Sequence, residues 1–257
     1  MTMLNKARKI LRSGRQVILP GPQRVDPADQ AAWEDAVALW NDLFAPFAPV
    51  VEGADVLELG CGDGRLAGAL AASGRARSVT GLDHHPYWTG VGGGAAWNLQ
   101  DMAAVELTAG LETLNAFEDG AADLILARQL DGFLPLSGLE DRLERLYALL
   151  RPGGEMLARL RCGDGGDSQD APGYGFLTPT AWVALMLGAG FEIAGQRRVW
   201  RTPADQGAAA ARLPEASDDE RLTAELHLHL IRPWESWELD ALRPFGDQRR
   251  ARNKKAG

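Results

Sequence analysis

The chain has 257 residues, enough for one large α/β domain with a full core, and an ordinary share of apolar residues. A formal net charge of −8 argues against nucleic acid as the main partner, because gripping phosphates takes a basic surface. No run of about 18 apolar residues occurs, so no membrane span is expected.

Two cysteines without C-x-x-C spacing, and four histidines in no zinc-binding pattern, predict reduced thiols and no metal site. No secretory signal pattern is found, so a cytoplasmic protein is expected.

Residues 1–50 read as a helical cap. Leu4 to Leu11 is a basic helix candidate, since Lys6, Arg8, Lys9, Arg12 and Arg15 precede any acid. It is expected to be a solvated face, with contact to an anionic surface as the alternative. Pro20-Gly21-Pro22 breaks the chain. Asp29 to Phe44 then reads as a helix with Trp33, Val37, Trp40 and Phe44 at helical spacing, an aromatic stripe expected to pack.

Val56-Leu57-Glu58-Leu59 is a short apolar run ending near an acid, the pattern of a buried strand. Gly60, Gly62 and Gly64 follow at alternate positions, then a helical segment from Leu66 to Ala72. Such glycines allow a tight turn and close approach of a ligand, and the helix aims its free N–H groups back at the turn. Ser78 to Asp83 is a second strand ending in an acid, followed by His84-His85-Pro86. Val105 to Leu107 reads as a third strand and Asp119 to Ala127 as a fourth. Leu139 to Leu150 has leucines at helical spacing and is followed by Arg151-Pro152-Gly153-Gly154, read as a helix stop and turn before a fifth strand, Met156 to Leu160. Phe176-Leu177-Thr178-Pro179 opens a helix to Gly188, and Phe191-Glu192-Ile193 begins a sixth strand. Residues 203–219 read as a long loop, Leu222 to Ile231 as an alternating strand, and residues 232–257 as a tail with further basic residues.

The glycine spacing is not that of the dinucleotide fingerprint G-x-G-x-x-G, since Arg65 stands where its third glycine belongs, nor does a G-K-[ST] phosphate loop follow. E-x-G-x-G-x-G instead resembles motif I of the class I S-adenosylmethionine-dependent methyltransferases. The order of the later segments, the R-P-G-G stretch included, is similar to that family from about Val51 to Trp200. The resemblance implies an α/β, Rossmann-like, seven-stranded sheet, mostly parallel with an antiparallel last strand and helices on both faces. Residues 51–231 would form this domain, with 203–219 as a loop insertion. It also implies S-adenosylmethionine as cofactor and methyl transfer to a small molecule.

Carried over residue by residue, the resemblance makes Glu58, Gly60, Cys61, Gly62 and Gly64 the expected cradle of the cofactor's amino acid end. Asp83 would take the ribose hydroxyls, or else simply start a turn, with His84 beside it. The family's adenine-binding acid aligns with Gly110, a departure. Leu111 would then pack on the ring and Glu112 would replace the acid. Arg128, after the fourth strand, would lie beside the methyl group.

No N-P-P-[YF] follows that strand, which disfavours amide or base nitrogen and leaves a hydroxyl oxygen as the expected acceptor. His85, Asp131 and His227 are the candidate bases. On an antiparallel seventh strand Glu225 and His227 lie nearer the pocket than His229, and His227 and His229 share a face, where they serve as packed, hydrogen-bonded imidazoles or as site groups. Trp88 and Trp97 are candidates for stacking on a substrate under a glycine-rich lid. A noncatalytic binding protein on the same fold and an NAD-dependent oxidoreductase are the rival readings.

Overall fold

Near-continuous burial along the central strands and apolar faces on the helices are satisfied together by one mixed sheet covered on both faces. The computed structural model describes residues 30–84, 105–163, 176–202 and 223–234. In chain order these are α1 (Gln30–Leu43), β1 (Asp55–Leu59), α2 (Arg65–Ala72), β2 (Ser78–Asp83), β3 (Val105–Ala109), β4 (Ala122–Ala127), α3 (Leu130–Phe133), α4 (Leu139–Leu149), β5 (Leu150–Arg161), α5 (Pro179–Gly188), β6 (Glu192–Trp200) and β7 (Thr223–Ile231). A 3-10 turn, Leu111–Ala116, follows β3. The seven strands lie in the order β3-β2-β1-β4-β5-β7-β6. The first five run parallel, and β7 pairs antiparallel with both β5 and β6.

Strand periodicity sends alternate side chains to opposite layers. On one face Val56, Leu124 and Leu126 meet α1 and α2 through Trp40, Phe44, Leu66 and Leu70. Trp40 is wholly buried, its ring centroid 5.8 Å from that of Phe44. The expected aromatic stripe of α1 is therefore packing. On the other face Leu59, Ile125, Met156, Leu160 and Leu228 meet Leu143 and Leu146 of α4 and Trp182 and Met186 of α5. Thr178 caps α5, its hydroxyl accepting from the Ala181 N–H at 3.2 Å.

One local expectation is corrected. Arg151-Pro152-Gly153-Gly154 is not a turn ahead of β5. Helix α4 stops at Leu149 and β5 begins at once, so the four residues lie within the strand as an irregularity between Leu150 and Glu155. Pairing with β4 slips between Ala122 and Leu124, the kind of irregularity where a strand tolerates proline. Gly153 and Gly154 instead bond Arg232 just beyond β7: the Gly153 N–H donates to its carbonyl at 2.8 Å, and its N–H donates to that of Gly154 at 3.0 Å.

The basic helix candidate, His85, Trp88, Trp97, residues 203–219 and nearly all of the tail lie outside the described residues.

Candidate functional site

Parallel strands all end on one edge of the sheet, and ligands of such folds sit in the crevice outside the carboxyl ends. A cavity of about 930 Å³ opens there. Beyond Leu59 the chain turns through Gly60 and Gly62, with φ of 70° and 60°, a region costly for residues with a Cβ. The Gly60 N–H donates to the Leu82 carbonyl at 2.8 Å, and the Gly62 N–H donates to Asp83 Oδ2 at 2.8 Å. The turn is thus bound to the end of β2. A Cβ at Gly60 would project into open space, with no atom within 4 Å; one at Gly62 would stand 3.0 Å from Arg128 Nη2.

Of the predicted cofactor residues, Gly60, Gly62, Asp83, His84, Leu111, Glu112 and Arg128 line this cavity. Three others do not. Cys61 points into the core, fully buried, and burial pushes its thiol pKa up. Gly64 starts α2 from a left-handed conformation, its carbonyl accepting from the Gly68 N–H. Glu58 lies fully buried beneath the turn.

Glu58 is the most perturbed carboxylate of the site. Burial pushes its pKa up to about 7, against the opposing attraction of Arg128. Arg128 Nε stands 3.2 Å from Glu58 Oε1, within ion-pair distance, yet the alignment makes no hydrogen bond, and among the described residues both Glu58 oxygens lack one. Arg128 Nη2 donates to the Gly60 carbonyl at 2.9 Å.

The adenine-side departure has a backbone cause. Gly110 takes a φ of 95°, which favours glycine over an acid at that position. A Cβ built on Gly110 would stand 3.2 Å from Glu112 Oε2. The Glu112 carboxylate therefore occupies space beside the position the family's acid would start from. His84 Nε2 donates to the Phe133 carbonyl at 2.5 Å, and the two rings lie 4.7 Å apart, tying the end of β2 to α3.

Two of the three base candidates stand behind the cavity lining, and the third, His85, falls outside the described residues. Asp131 is buried and does not line the cavity. Its Oδ1 accepts the Arg161 backbone N–H at 3.0 Å and its Oδ2 accepts Arg161 Nε at 2.7 Å. His227 is also buried away from the cavity. Its Nε2 donates to Glu225 Oε2 at 3.2 Å, and burial lowers its pKa, partly offset by Glu225. His229 Nε2 donates to Glu155 at 3.0 Å, so the two histidines of β7 are packed, hydrogen-bonded imidazoles. The expected direction of β7 is observed: Glu225 and His227 pair with Arg161 and Arg159 at the cavity end of β5, and His229 pairs with Leu157 farther back.

Sequence reasoning missed Arg159 and Arg161, which line the cavity from β5, and Arg142 from α4. The available signal was two arginines two residues apart at the carboxyl end of an apolar strand, a spacing that puts both on one face. Leu39 of α1 also reaches the lining, which brings the amino-terminal cap to the cavity.

Residues 56–154 match the family model described as a methyltransferase domain. No curated protein matches the chain. Among solved structures, the chain is similar to the 1,6-didemethyltoxoflavin-N1-methyltransferase of Burkholderia thailandensis, solved with 1,6-didemethyltoxoflavin and S-adenosylhomocysteine bound: TM-score 0.52, 17% identity, 89% of this chain and 83% of that one covered. It is similar to CrArsM, an arsenic(III) S-adenosylmethionine methyltransferase of Chlamydomonas reinhardtii, with TM-score 0.52, 22% identity and coverage of 82% and 75%. It is also similar to the cyclase SpnF, with TM-score 0.56, 19% identity and coverage of 91% and 94%. At these identities the likenesses speak for the fold, and the matched domain covers the glycine turn, Asp83 and Arg128. Residues 56–154 thus match a methyltransferase domain, and the motif order on this fold is consistent with the class I S-adenosylmethionine-dependent methyltransferases.

Proposed function

We propose that the chain moves the methyl group of S-adenosylmethionine to a hydroxyl oxygen of a small molecule by in-line displacement. The observation that supports placing the cofactor there is Glu58: a fully buried carboxylate only partly compensated by Arg128 and the Ala67 backbone, beneath a glycine whose Cβ direction is open. A buried acid in that state calls for a partner, and an ammonium group supplies one.

On this reading Glu58 and the backbone at Gly60 and Gly62 hold the amino acid end. Arg128 turns toward the cofactor's carboxylate, Asp83 accepts from the ribose hydroxyls, and Leu111 and Glu112 meet the adenine. The bound cofactor supplies an electrophilic methyl group on a sulfonium. The protein's part is then to hold the acceptor in line, which is worth about 7–11 kcal/mol of barrier when done well.

A hydroxyl acceptor is supported by Arg128-Gln129-Leu130-Asp131 after β4, where the nitrogen-methylating motif is lacking. With Asp131 and His227 committed behind the lining, the hydroxyl gives its proton to water as its oxygen takes the methyl group and the carbon–sulfur bond breaks, leaving S-adenosylhomocysteine. Residues 1–50 are taken as a helical cap and 51–231 as the methyltransferase domain, with 203–219 as a loop insertion, and the protein as cytoplasmic.

The test has two arms. Calorimetry with S-adenosylhomocysteine is expected to give a micromolar or tighter dissociation constant, weakened about 10- to 100-fold by Glu58→Gln through loss of a charge-assisted bond. Turnover of methyl-labelled cofactor is then measured on matched phenol and aniline panels, with label expected on the phenols alone. Failure to bind S-adenosylhomocysteine overturns the site, and label on the anilines overturns the hydroxyl acceptor.

A further inference from the structure

Five strands of the sheet end on the cavity edge, and their order separates two halves of the cavity. Gly60, Gly62 and Asp83 line it from β1 and β2; Arg159 and Arg161 line it from β5, on the far side of β4. The second half has a charge and shape of its own. As residues i and i+2 of a strand, Arg159 and Arg161 stand on one face, roughly 7 Å apart.

Each guanidinium is held from behind by one carboxylate. Glu225 accepts from Nε of Arg159 at 2.9 Å and from its Nη2. Asp131, its side chain wholly buried, accepts from Nε of Arg161 at 2.7 Å, and the Phe176 ring lies against that guanidinium with its centroid 4.5 Å from Cζ. Among the described residues this leaves Nη1 of Arg159 and both Nη groups of Arg161 uncommitted to those carboxylates. The two arginine side chains are partly exposed where they meet the cavity.

Stability does not account for such an arrangement. Burying a carboxylate under an arginine costs desolvation that the pair's attraction roughly offsets, and apolar residues of similar volume hold a fold as well or better. What the pairs do provide is fixed direction: planar forks, pinned on one edge, open on the other. A planar fork matches a carboxylate through two parallel bonds. Because each arginine already answers one internal carboxylate, the pair suits a singly charged anion better than a dianion.

We infer that Arg159 and Arg161 form an anion subsite that anchors a carboxylate carried by the methyl acceptor, with Phe133 and Phe176 lining the space for its apolar body. This rests on the methyl-transfer reading, with the cofactor at the glycine end.

The probes are benzoate, its neutral counterpart benzamide, and the dianion phenyl phosphate. Each is titrated by ligand-observed NMR into the full chain, with and without saturating S-adenosylhomocysteine. Benzoate is expected to bind at least tenfold more tightly than either of the others. The double variant Arg159→Gln/Arg161→Gln is expected to lose that preference while binding S-adenosylhomocysteine within twofold of wild type. Arg159→Lys, which retains a cation for Glu225 but not the fork, is expected to lose part of it. This second variant keeps the test alive if the double variant fails to fold. Equal binding of benzoate and benzamide, no binding of benzoate, preference for phenyl phosphate, or an undiminished preference in the folded variants overturns the inference. Absence of S-adenosylhomocysteine binding by the wild type strikes at the cofactor site instead, and the titrations without it still judge the subsite.

Discussion

Arg128 reaches back over the glycine turn to Glu58, bringing Nε within 3.2 Å of a carboxylate that has no access to solvent. The pair is close enough to attract and too poorly aligned to bond, so the charge of Glu58 is only partly compensated. Burial dominates, and the acid holds its proton up to about pH 7 against an ordinary value of 4.5.

That shift has a consequence for the cofactor-free protein. A carboxyl whose pKa is raised on folding contributes stability that is fully present below its unfolded value and is lost as pH rises to the folded one. Between pH 4.5 and 7 the Glu58 contribution therefore declines. Glu58→Gln is expected to remove this slope and to stabilise the protein at pH 8 by up to about 3 kcal/mol, at 1.36 kcal/mol per pKa unit. Denaturant melts of both proteins at pH 5 and 8 measure it. Equal slopes would show that Glu58 ionises freely in the fold.

The same group ties cofactor affinity to pH. An ammonium placed against Glu58 favours the ionised form, so binding at pH 7 expels the proton that the free protein retains on about half of its molecules. Calorimetric titration of S-adenosylhomocysteine in two buffers of different ionisation enthalpy is expected to show proton release, and affinity is expected to rise from pH 6 to 8. Proton uptake would place the ammonium elsewhere.

Asp83 has a role separable from that of Glu58. Its Oδ2 secures the Gly62 N–H at the edge of the cavity. If the carboxylate also receives ribose hydroxyls, Asp83→Asn should weaken adenosine binding about 10-fold or more and leave 2′,3′-dideoxyadenosine nearly unchanged, since bonds to charged groups are worth about 1.5–3 kcal/mol. A variant that weakens both nucleosides equally would show that Asp83 only holds the turn.

How far these residues could be read from the sequence depends on how local their cause is. The glycine turn was legible because left-handed φ at Gly60 and Gly62 must be met by the residue itself. Asp83 was legible because the register of β1 with β2 brings the two strand ends together. Cys61 and Gly64 sit in the same motif, yet the turn aims one into the core and uses the other to start α2, a direction that spacing alone does not reveal. Asp131 looked like a base because it follows β4 closely, and His227 because an antiparallel β7 starts at the cavity edge. Their partners, Arg161 and Glu225, fix them behind the lining, and for Asp131 that partner lies 30 residues away on another element. Arg159 and Arg161 escaped notice for the converse reason. Arginines ending a strand read as solvated, and only the placement of β5 next to β4 turns them into cavity walls.

His227 offers a titration opposite in sign to that of Glu58. Burial is the main cause of its lowered pKa; the Glu225 carboxylate opposes it, and Arg197 on β6 and Arg159 on β5 add to it. The folded protein therefore keeps the ring neutral, with Nε2–H donating to Glu225 and Nδ1 buried without a hydrogen bond among the described residues. Below its ordinary pKa of 6.5 the unfolded chain takes up a proton that the folded one resists, so stability falls as pH drops from 6.5 toward the lower folded value. His227→Gln retains a donor for Glu225 and cannot titrate. In a Glu58→Gln background, which silences the opposing slope, it is expected to flatten the loss of melting temperature between pH 7 and 5. Because Glu225 also holds Arg159, the Gln variant should leave that guanidinium in place, whereas His227→Leu removes one donor and leaves Oε2 to Arg159 Nε alone. If both substitutions leave the acid slope unchanged, the imidazole is protonated as readily in the fold as in the open chain, and burial is not what governs it.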